Sequence, residues 1–307
     1  MKDLKNAQLG RVFQELLPLP ATMEPRLKQA LQYILGNPGS LIRPGVLIRV
    51  ALEYGLAERP ATDLAIGLEY FHTASLIFDD LPSMDDAVER RGRECVHLKF
   101  GEAGATLAAL ALVNRAYALT FRSIAAAPAA VQAEAQRYVE RSLGVDGLLN
   151  GQSMDVHFAA LPHDLQTTER AAVGKTVSLV RLTLVLPAIL GRAAERDMLL
   201  LDKIAVCWGL SYQIVDDLKD RLESTSATGK TSSRDLLLDR PNVALAIGID
   251  GAMRRLKRLL LIGDKALNRL LATRPGLAFL RELHAALSTD VSRLLELSDL
   301  RSEGEAA

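Results

Sequence analysis

Phe71-His72-Thr73-Ala74-Ser75-Leu76-Ile77-Phe78-Asp79-Asp80-Leu81-Pro82-Ser83-Met84-Asp85-Asp86 carries an apolar stretch straight into four carboxylates. Pro82 disfavours helical geometry at Leu81 and breaks the hydrogen-bond ladder, so a helix ends here with Asp79 and Asp80 on its last turn. Asp85 then returns from the following loop. A carboxylate at a helix C-terminus opposes the helix dipole, which argues against a purely structural role. Like charges this close are costly unless a cation sits among them. Hard oxygen ligands in pairs suit Mg²⁺, which keeps several waters and is held by one or two carboxylates plus substrate phosphates.

A second cluster, Asp216-Asp217-Leu218-Lys219-Asp220, follows the apolar pair Ile214-Val215. On a helix, Asp216 and Asp220 share a face one turn apart, with Asp217 offset by about 100° at its edge. Gln213, one turn before Asp217, adds an amide on that side. The plain alternative is a solvated helix end neutralised by Lys219 and Arg221, since Asp also caps helices and fills turns. Two such clusters in one chain favour facing metal clamps with a diphosphate between them.

Cations accompany both clusters. Arg90-Arg91-Gly92-Arg93 follows the first directly. Such a run is either a surface ion-pair network worth little or a set of guanidinium groups suited to diphosphate. Gly174-Lys175-Thr176 and Gly229-Lys230 place two more cations near helix boundaries, neither with the glycine spacing of a Walker motif. His72 lies two turns before Asp79 on the same helix face. A lone histidine is more often a satisfied core residue, and only the company of Asp79 raises this one.

The rest of the chain supports a helical frame. Of 307 residues, 49% are hydrophobic and only 5% aromatic, with Leu and Ala abundant, which favours helices over a β-sandwich. Lys+Arg 37 balances Asp+Glu 37, so no global field recruits nucleic acid or an anionic membrane. Cys95 and Cys207 form neither a metal-ligand spacing nor a disulfide framework. Met1–Leu19 lacks the pattern of a signal peptide, and Asn114-Arg115 and Arg181 interrupt the most apolar stretches. The expectation is a cytoplasmic protein with no membrane span. Helical period predicts helices over Asn6–Leu17, Pro25–Leu35, Pro44–Tyr54, Thr62–Phe78, Glu102–Ala125, Ala130–Leu149 and Gln166–Val173. It predicts more over Thr176–Gly191, Glu195–Lys219, Ser233–Gly248, Ala252–Gly263, Lys265–Thr273 and Gly276–Leu297. With no linker or repeat, the expected architecture is one all-α domain over residues 1–307, with an N-terminal arm over 1–20 and a frayed tail over 301–307.

These residues resemble the trans-polyprenyl diphosphate synthases, and among them the bacterial geranylgeranyl diphosphate synthases of carotenoid-type clusters. Phe71–Asp86 with Arg90-Arg91-Gly92 looks like the family's first aspartate-rich signature. Phe100-Gly101-Glu102-Ala103, Gly151-Gln152-Ser153-Met154-Asp155, Gly174-Lys175-Thr176 and Tyr212–Asp220 follow in the family's order. The resemblance runs from about Pro38 to Gly248 and implies an all-α bundle around a central cavity, a homodimer, and Mg²⁺ as cofactor. It implies that Asp79, Asp80, Asp85, Asp216, Asp217 and Asp220 hold Mg²⁺ on an allylic diphosphate (dimethylallyl, geranyl or farnesyl). By the same resemblance Arg90, Lys175 and Lys230 bind that diphosphate, and Thr176 and Gln213 line the site. Arg43, His72 and Arg91 bind isopentenyl diphosphate. Small residues at Ala74 and Ser75 leave the tunnel floor open for a geranylgeranyl product, with Tyr117 and Phe121 as candidates for a second, deeper blocker.

Two departures qualify this. The family's Gly-Gly-Lys-Arg-x-Arg-Pro segment reads Pro38-Gly39-Ser40-Leu41-Ile42-Arg43-Pro44, which lacks a lysine and an arginine. A second Gly-Lys motif is replaced by Leu238-Asp239-Arg240-Pro241-Asn242. The ionising half of the site therefore reads as complete, while the isopentenyl half has lost cations. Alternatives are a class I terpene synthase-like lyase acting on one allylic diphosphate, or a non-catalytic subunit of a heteromeric synthase.

Overall fold

The computed structural model describes residues 2–222, 238–289 and Leu294, with side chains described from residue 7 onward. Nearly all of the described chain is helical, and the one sheet is a two-residue hairpin, β1 (Glu89–Arg90) with β2 (Arg93–Glu94). Two compact units emerge. One holds the chain up to Gln136 together with Leu190–Arg192, and the other holds Arg137–Ile189 and the described residues from Ala193 onward.

The first unit contains α1 (Lys2–Glu15), α2 (Pro25–Leu35), α3 (Ile42–Glu53), α4 (Glu58–Asp79) and α5 (Val96–Ala125). Leu64, Ala65, Ile66, Leu68, Tyr70, Phe71, Ala74 and Ile77 of α4 are all buried, so this helix is apolar on nearly every side and forms the unit's centre. Asp63, Glu69 and Thr73 are its buried polar residues, and Arg122 of α5 holds Asp63 by two hydrogen bonds of 2.6 and 2.7 Å. Removing either partner of such a pair would leave a buried charge uncompensated. α5 bends at Gly101, whose φ of 79° interrupts the helix where the sequence predicts a start at Glu102.

The second unit contains α7 (Leu148–Val156), α8 (Leu165–Ala172), α9 (Ser178–Leu190), α10 (Glu195–Leu222) and α11 (Val243–Leu271), while α6 (Ala129–Leu143) leads into it. A π-helical turn, Val173–Val177, joins α8 to α9 and carries Gly174, Lys175 and Thr176. Such turns tend to occur at functional sites, because the extra residue re-aims its neighbours. Gly174 and Gly151 of α7 touch through their backbones. A Cβ on Gly151 would lie 2.2 Å from the Lys175 nitrogen, and one on Gly174 would lie 2.6 Å from Gly151 Cα. No larger residue fits at either position.

Several sequence expectations change here. The predicted helix Ala130–Leu149 is divided into α6 and α7, because the chain turns tightly over Gly144–Gly147. The break expected at Gly263-Asp264 is absent, since α11 continues through it and buries Gly263 against Trp208 and Cys207. Pro275–Phe279 forms a 3₁₀ turn before the helical residues 280–289. The expectation of no membrane-length segment is also corrected. Val96–Ala125, Leu165–Leu190 and Glu195–Leu222 are long and apolar enough to cross a membrane by length and composition. A single Arg115 or Arg181 lowers the average of such a stretch without abolishing it.

Candidate active site

At the end of α4, Asp80 N donates to Leu76 O and Leu81 N to Phe78 O, which closes the last helical turn. The loop after Pro82 then folds back: Asp85 N donates to Asp79 O at 2.9 Å and Ala87 N to Asp80 O at 3.2 Å. Orphan carbonyls of the helix end are satisfied in this way, and the backbones of Asp79 and Asp85 are brought together. Asp80 is buried, and Arg90 from β1 reaches it with Nη2 at 2.5 Å and Nε at 3.0 Å. Burial alone would lower the Arg90 pKa, yet the bond to Asp80 and the charges of Asp80 and Asp79 raise it. A predicted metal ligand and a predicted phosphate ligand thus hold each other.

Around the turn before α3, Leu41 takes a left-handed φ of 51° and is buried, while Ser40 is exposed. Arg43 stands in the first turn of α3. Arg91, at the tip of the β1–β2 hairpin, donates from Nη1 to Asn37 O at 3.2 Å, and its guanidinium lies over Gly39. A Cβ on Gly39 would sit 2.5 Å from Arg91 Cζ, so any side chain there would push the guanidinium aside, and the φ of 74° would strain it as well. His72 is largely buried, and its Nδ1 has no hydrogen-bond partner among the described residues. Burial, then the charges of Arg43, Arg91 and Arg90, push its pKa down to about 2, so the ring is neutral. One turn earlier lies Glu69, which sequence reading passed over as an ordinary helix former. It is 3% exposed, and burial raises its pKa to about 7 against the pull of Arg43 and Arg91.

Below Asp79, Ala74 is fully buried whereas Ser75 is half-buried and donates its hydroxyl to His72 O at 2.9 Å. Phe71, one turn before Ser75, meets Tyr117 of α5 edge-on at 4.8 Å, and Tyr117 stacks on Phe121 at 5.6 Å.

In the second unit Asp216 is exposed, Asp220 half-buried and Asp217 fully buried. Asp217 accepts from Gln213 Nε2 at 2.9 Å and from Val243 N, the first residue of α11, at 2.7 Å. Thr176 Oγ1 donates to Gln213 Oε1 at 3.0 Å, which ties the π-helical turn to this chain of bonds. Lys175 donates to Asp155 at 2.8 Å. The segment that stands where the family has its second Gly-Lys motif carries an arginine, Arg240. Asp239 takes a left-handed φ of 52°, and the buried Arg240 that follows brings Nη1 to 3.8 Å from Asp155. Lys230 and the Glu223–Ser233 loop lie outside the described residues.

No group of three His, Cys, Asp or Glu residues is preassembled to hold a metal among the described residues. The donor set nevertheless fits Mg²⁺. Every candidate is a carboxylate, Asp216 and Asp220 lie one turn apart, and a phosphate-bound Mg²⁺ needs only one or two carboxylates.

Comparison with known proteins gives a consistent outcome. Residues 24–267 match the family model described as polyprenyl synthetase. Geranylgeranyl pyrophosphate synthase 11, chloroplastic, of Arabidopsis thaliana is 36% identical over 228 residues, which take in 73% of this chain and 64% of that protein. The chain therefore spans less than two thirds of that relative's length. Geranylgeranyl pyrophosphate synthase 10, mitochondrial, of the same plant is 32% identical over 83% of this chain and 75% of its own length. Among solved structures, an FPP/GFPP synthase from Zymomonas mobilis matches with a TM-score of 0.75 and 28% identity, covering 92% of this chain and 96% of its own. A geranyltransferase from Helicobacter pylori, complexed with magnesium and isoprenyl diphosphate, shares the fold with a TM-score of 0.77 at 22% identity, over 96% of both chains.

Proposed function

The chain belongs to the polyprenyl synthetase family, and from that premise we propose a Mg²⁺-dependent prenyltransferase that condenses isopentenyl diphosphate with an allylic diphosphate. Geranylgeranyl diphosphate is the product in this reading. The observation that carries it is the buried Asp80–Arg90 pair at the end of α4. A carboxylate and a guanidinium bonded to each other there are poised to exchange partners, the first for a cation and the second for a phosphate.

Asp79, Asp80, Asp85, Asp216, Asp217 and Asp220 are the residues that would hold Mg²⁺. When bound, it would neutralise the leaving diphosphate and lower the barrier to ionisation. Arg90, Lys175 and Arg240 bind the oxygens of that diphosphate, a role in which Asp80 and Asp155 stand in for the anion when it is absent. Thr176 and Gln213 hold the π-helical turn in register with α10. The allylic C–O bond breaks with its electron pair leaving on diphosphate. Apolar residues of α4 keep water from the resulting cation. Arg43, Arg91 and neutral His72 orient isopentenyl diphosphate so that its double bond attacks, and the departing diphosphate takes the proton that is lost.

α5 supports a homodimer. Leu107, Leu110, Tyr117 and Phe121 are exposed at alternating spacings of three, seven and four residues, and only 28% of its most apolar stretch is buried. An apolar face of this length calls for a partner. One observation favours a second reading, a lyase acting on the allylic diphosphate alone: Leu41 is turned into the core and Ser40 offers no charge to a second diphosphate.

Incubation with Mg²⁺ and farnesyl diphosphate, with and without isopentenyl diphosphate, separates these readings. Longer diphosphates formed only with both substrates are the expected result. Hydrocarbons or alcohols from farnesyl diphosphate alone would establish the lyase, and no turnover would indicate a subunit.

A further inference from the structure

We propose that Asp155 is a competing counter-ion, which weakens the grip of Lys175 and Arg240 on diphosphate and so speeds release of that anion. This rests on the reading above of those two cations as diphosphate ligands. Asp155 stands in the last turn of α7, one turn after Gly151 and on the same helix face. Gly151 meets the π-helical turn backbone to backbone, so close that its Cβ would lie 2.2 Å from Lys175 N. Asp155 is thereby brought to the Lys175 side chain, whose Nζ donates to Asp155 Oδ2 at 2.8 Å. A carboxylate at a helix C-terminus opposes the dipole, so α7 itself gains nothing from it.

Arg240 arrives from another element. Asn242 caps α11 and donates from Nδ2 to Asp217 O at 3.2 Å, while Val243 N donates to Asp217 Oδ2 at 2.7 Å. The chain just after Arg240 is thus pinned to α10. Arg240 Nη1 lies 3.8 Å from the same Oδ2 of Asp155, an ion pair beyond hydrogen-bond reach. One carboxylate oxygen faces two cations, bonded to the first and only attracted to the second. Side-chain exposure is 28% for Lys175, 14% for Asp155 and 8% for Arg240, so solvent screens the three charges poorly. Asp155, Lys175, Gln213 and Pro241 line a hollow of about 10 Å³, room for about one water and not for a phosphate. An anion that takes both cations must displace Asp155, and the displaced charge then repels it. The carboxylate that draws the cations together therefore works against their ligand. Such an opposition suits a reaction that ends by letting diphosphate go.

Asparagine in place of Asp155 makes the site one charge more positive without changing its shape. Calorimetric titration of inorganic diphosphate into wild type, Asp155→Asn and Lys175→Gln, each with and without Mg²⁺, tests the proposal alongside steady-state turnover. Asp155→Asn should lower Kd for diphosphate about tenfold in both conditions. It should also lower kcat and KM for the allylic substrate together, as in an enzyme slowed at product release. Unchanged or weaker binding would overturn the proposal, since a residue that only builds the site costs affinity when removed. Weakening confined to the Mg²⁺ titration would overturn it as well and make Asp155 a metal ligand. Lys175→Gln separates the two levels of inference. If it leaves Kd unchanged, the reading of Lys175 as a diphosphate ligand fails. If it raises Kd while Asp155→Asn does not lower it, only the role of Asp155 fails. Should Asp155→Asn be unfolded by itself, added diphosphate decides. The anion should replace the missing carboxylate and restore the fold, raising the melting temperature more than in wild type. A variant still unfolded at saturating diphosphate would show that Asp155 serves the fold alone, and the proposal would fall.

Discussion

Asp80 at the end of α4 and Asp217 near the end of α10 are both almost completely buried, at 3% and 1% exposure, but they are neutralised by different partners. A guanidinium holds Asp80, whereas a backbone N–H and a side-chain amide hold Asp217. The first partner, Arg90, is a guanidinium that on the proposed reading exchanges Asp80 for phosphate. The second is the start of α11, where Val243 N would otherwise be an orphan donor at a helix N-terminus. On the proposed reading, one cluster exchanges its partner. The other divides its labour, with Asp216 and Asp220 left to ligands and Asp217 shared with the fold.

Asp216→Ala gives the largest expected effect. Turnover should fall by about a thousandfold or more, the scale of removing a preorganised electrostatic group, while the melting temperature stays within error. Asp216 is exposed, and its removal relieves repulsion within the cluster. Near-normal turnover would end the argument that this carboxylate holds a metal.

Stability should separate the two buried carboxylates. Asp217→Ala leaves Val243 N and the Gln213 amide without an acceptor and should cost about 3 kcal/mol. Asp80→Ala leaves Arg90 unpaired, but that side chain keeps 30% exposure, and water reduces the loss to about 2 kcal/mol. Chemical denaturation of both variants checks this, and equal destabilisation by Asp216→Ala would erase the distinction.

Glu69 offers a third contrast, a buried acid whose charge is a burden to the fold. Its folded pKa of about 7 lies above the ordinary 4.5. The folded state therefore binds the proton more tightly, so stability is greatest below pH 4.5 and declines as pH rises through 7. The full loss is about 3 kcal/mol. Glu69→Gln removes it, so the variant should gain stability over wild type from pH 5 to about pH 7 and keep that advantage, level, to pH 8. Parallel denaturation curves across that range would show that Glu69 does not titrate as argued.

The helices and both carboxylate clusters were legible because they are local. Apolar period sets α4 and α10, and Pro82 marks where the first ends. Glu69 was not legible, because a glutamate within a helix looks like any good helix former until Arg43 and Arg91 arrive from other elements. Arg240 was hidden for a related reason. Its motif lacks glycine, yet Asp239 adopts the left-handed conformation that glycine would favour. Asp217 looked identical to Asp216 in sequence, and only the approach of Val243 gives them separate roles. The division into α6 and α7 was missed because the period continues through glycines that tertiary contact turns into a corner.

The smallest effect on rate, and the finest division within the first cluster's helix, concerns Ala74 and Ser75. Both were read as leaving the tunnel floor open, and their burial now separates them. Ala74 has no exposed surface to speak of, so tyrosine there must displace packed neighbours and should cost about 1–3 kcal/mol. Ser75 is half-buried, and a larger side chain can extend from it without repacking α4. Ser75→Tyr should therefore shorten the product by one isoprene unit, with turnover of short allylic substrates changed by less than about threefold. Phe71 lies one turn deeper, with Tyr117 against its edge. Phe71→Ala opens that floor and should extend the product beyond geranylgeranyl diphosphate. Chromatography of the dephosphorylated products reads both changes. If Ala74→Tyr shortens the product at unchanged stability while Ser75→Tyr does nothing, the wall of the tunnel lies on the Ala74 side of α4 and the Phe71–Tyr117 pair is not its floor.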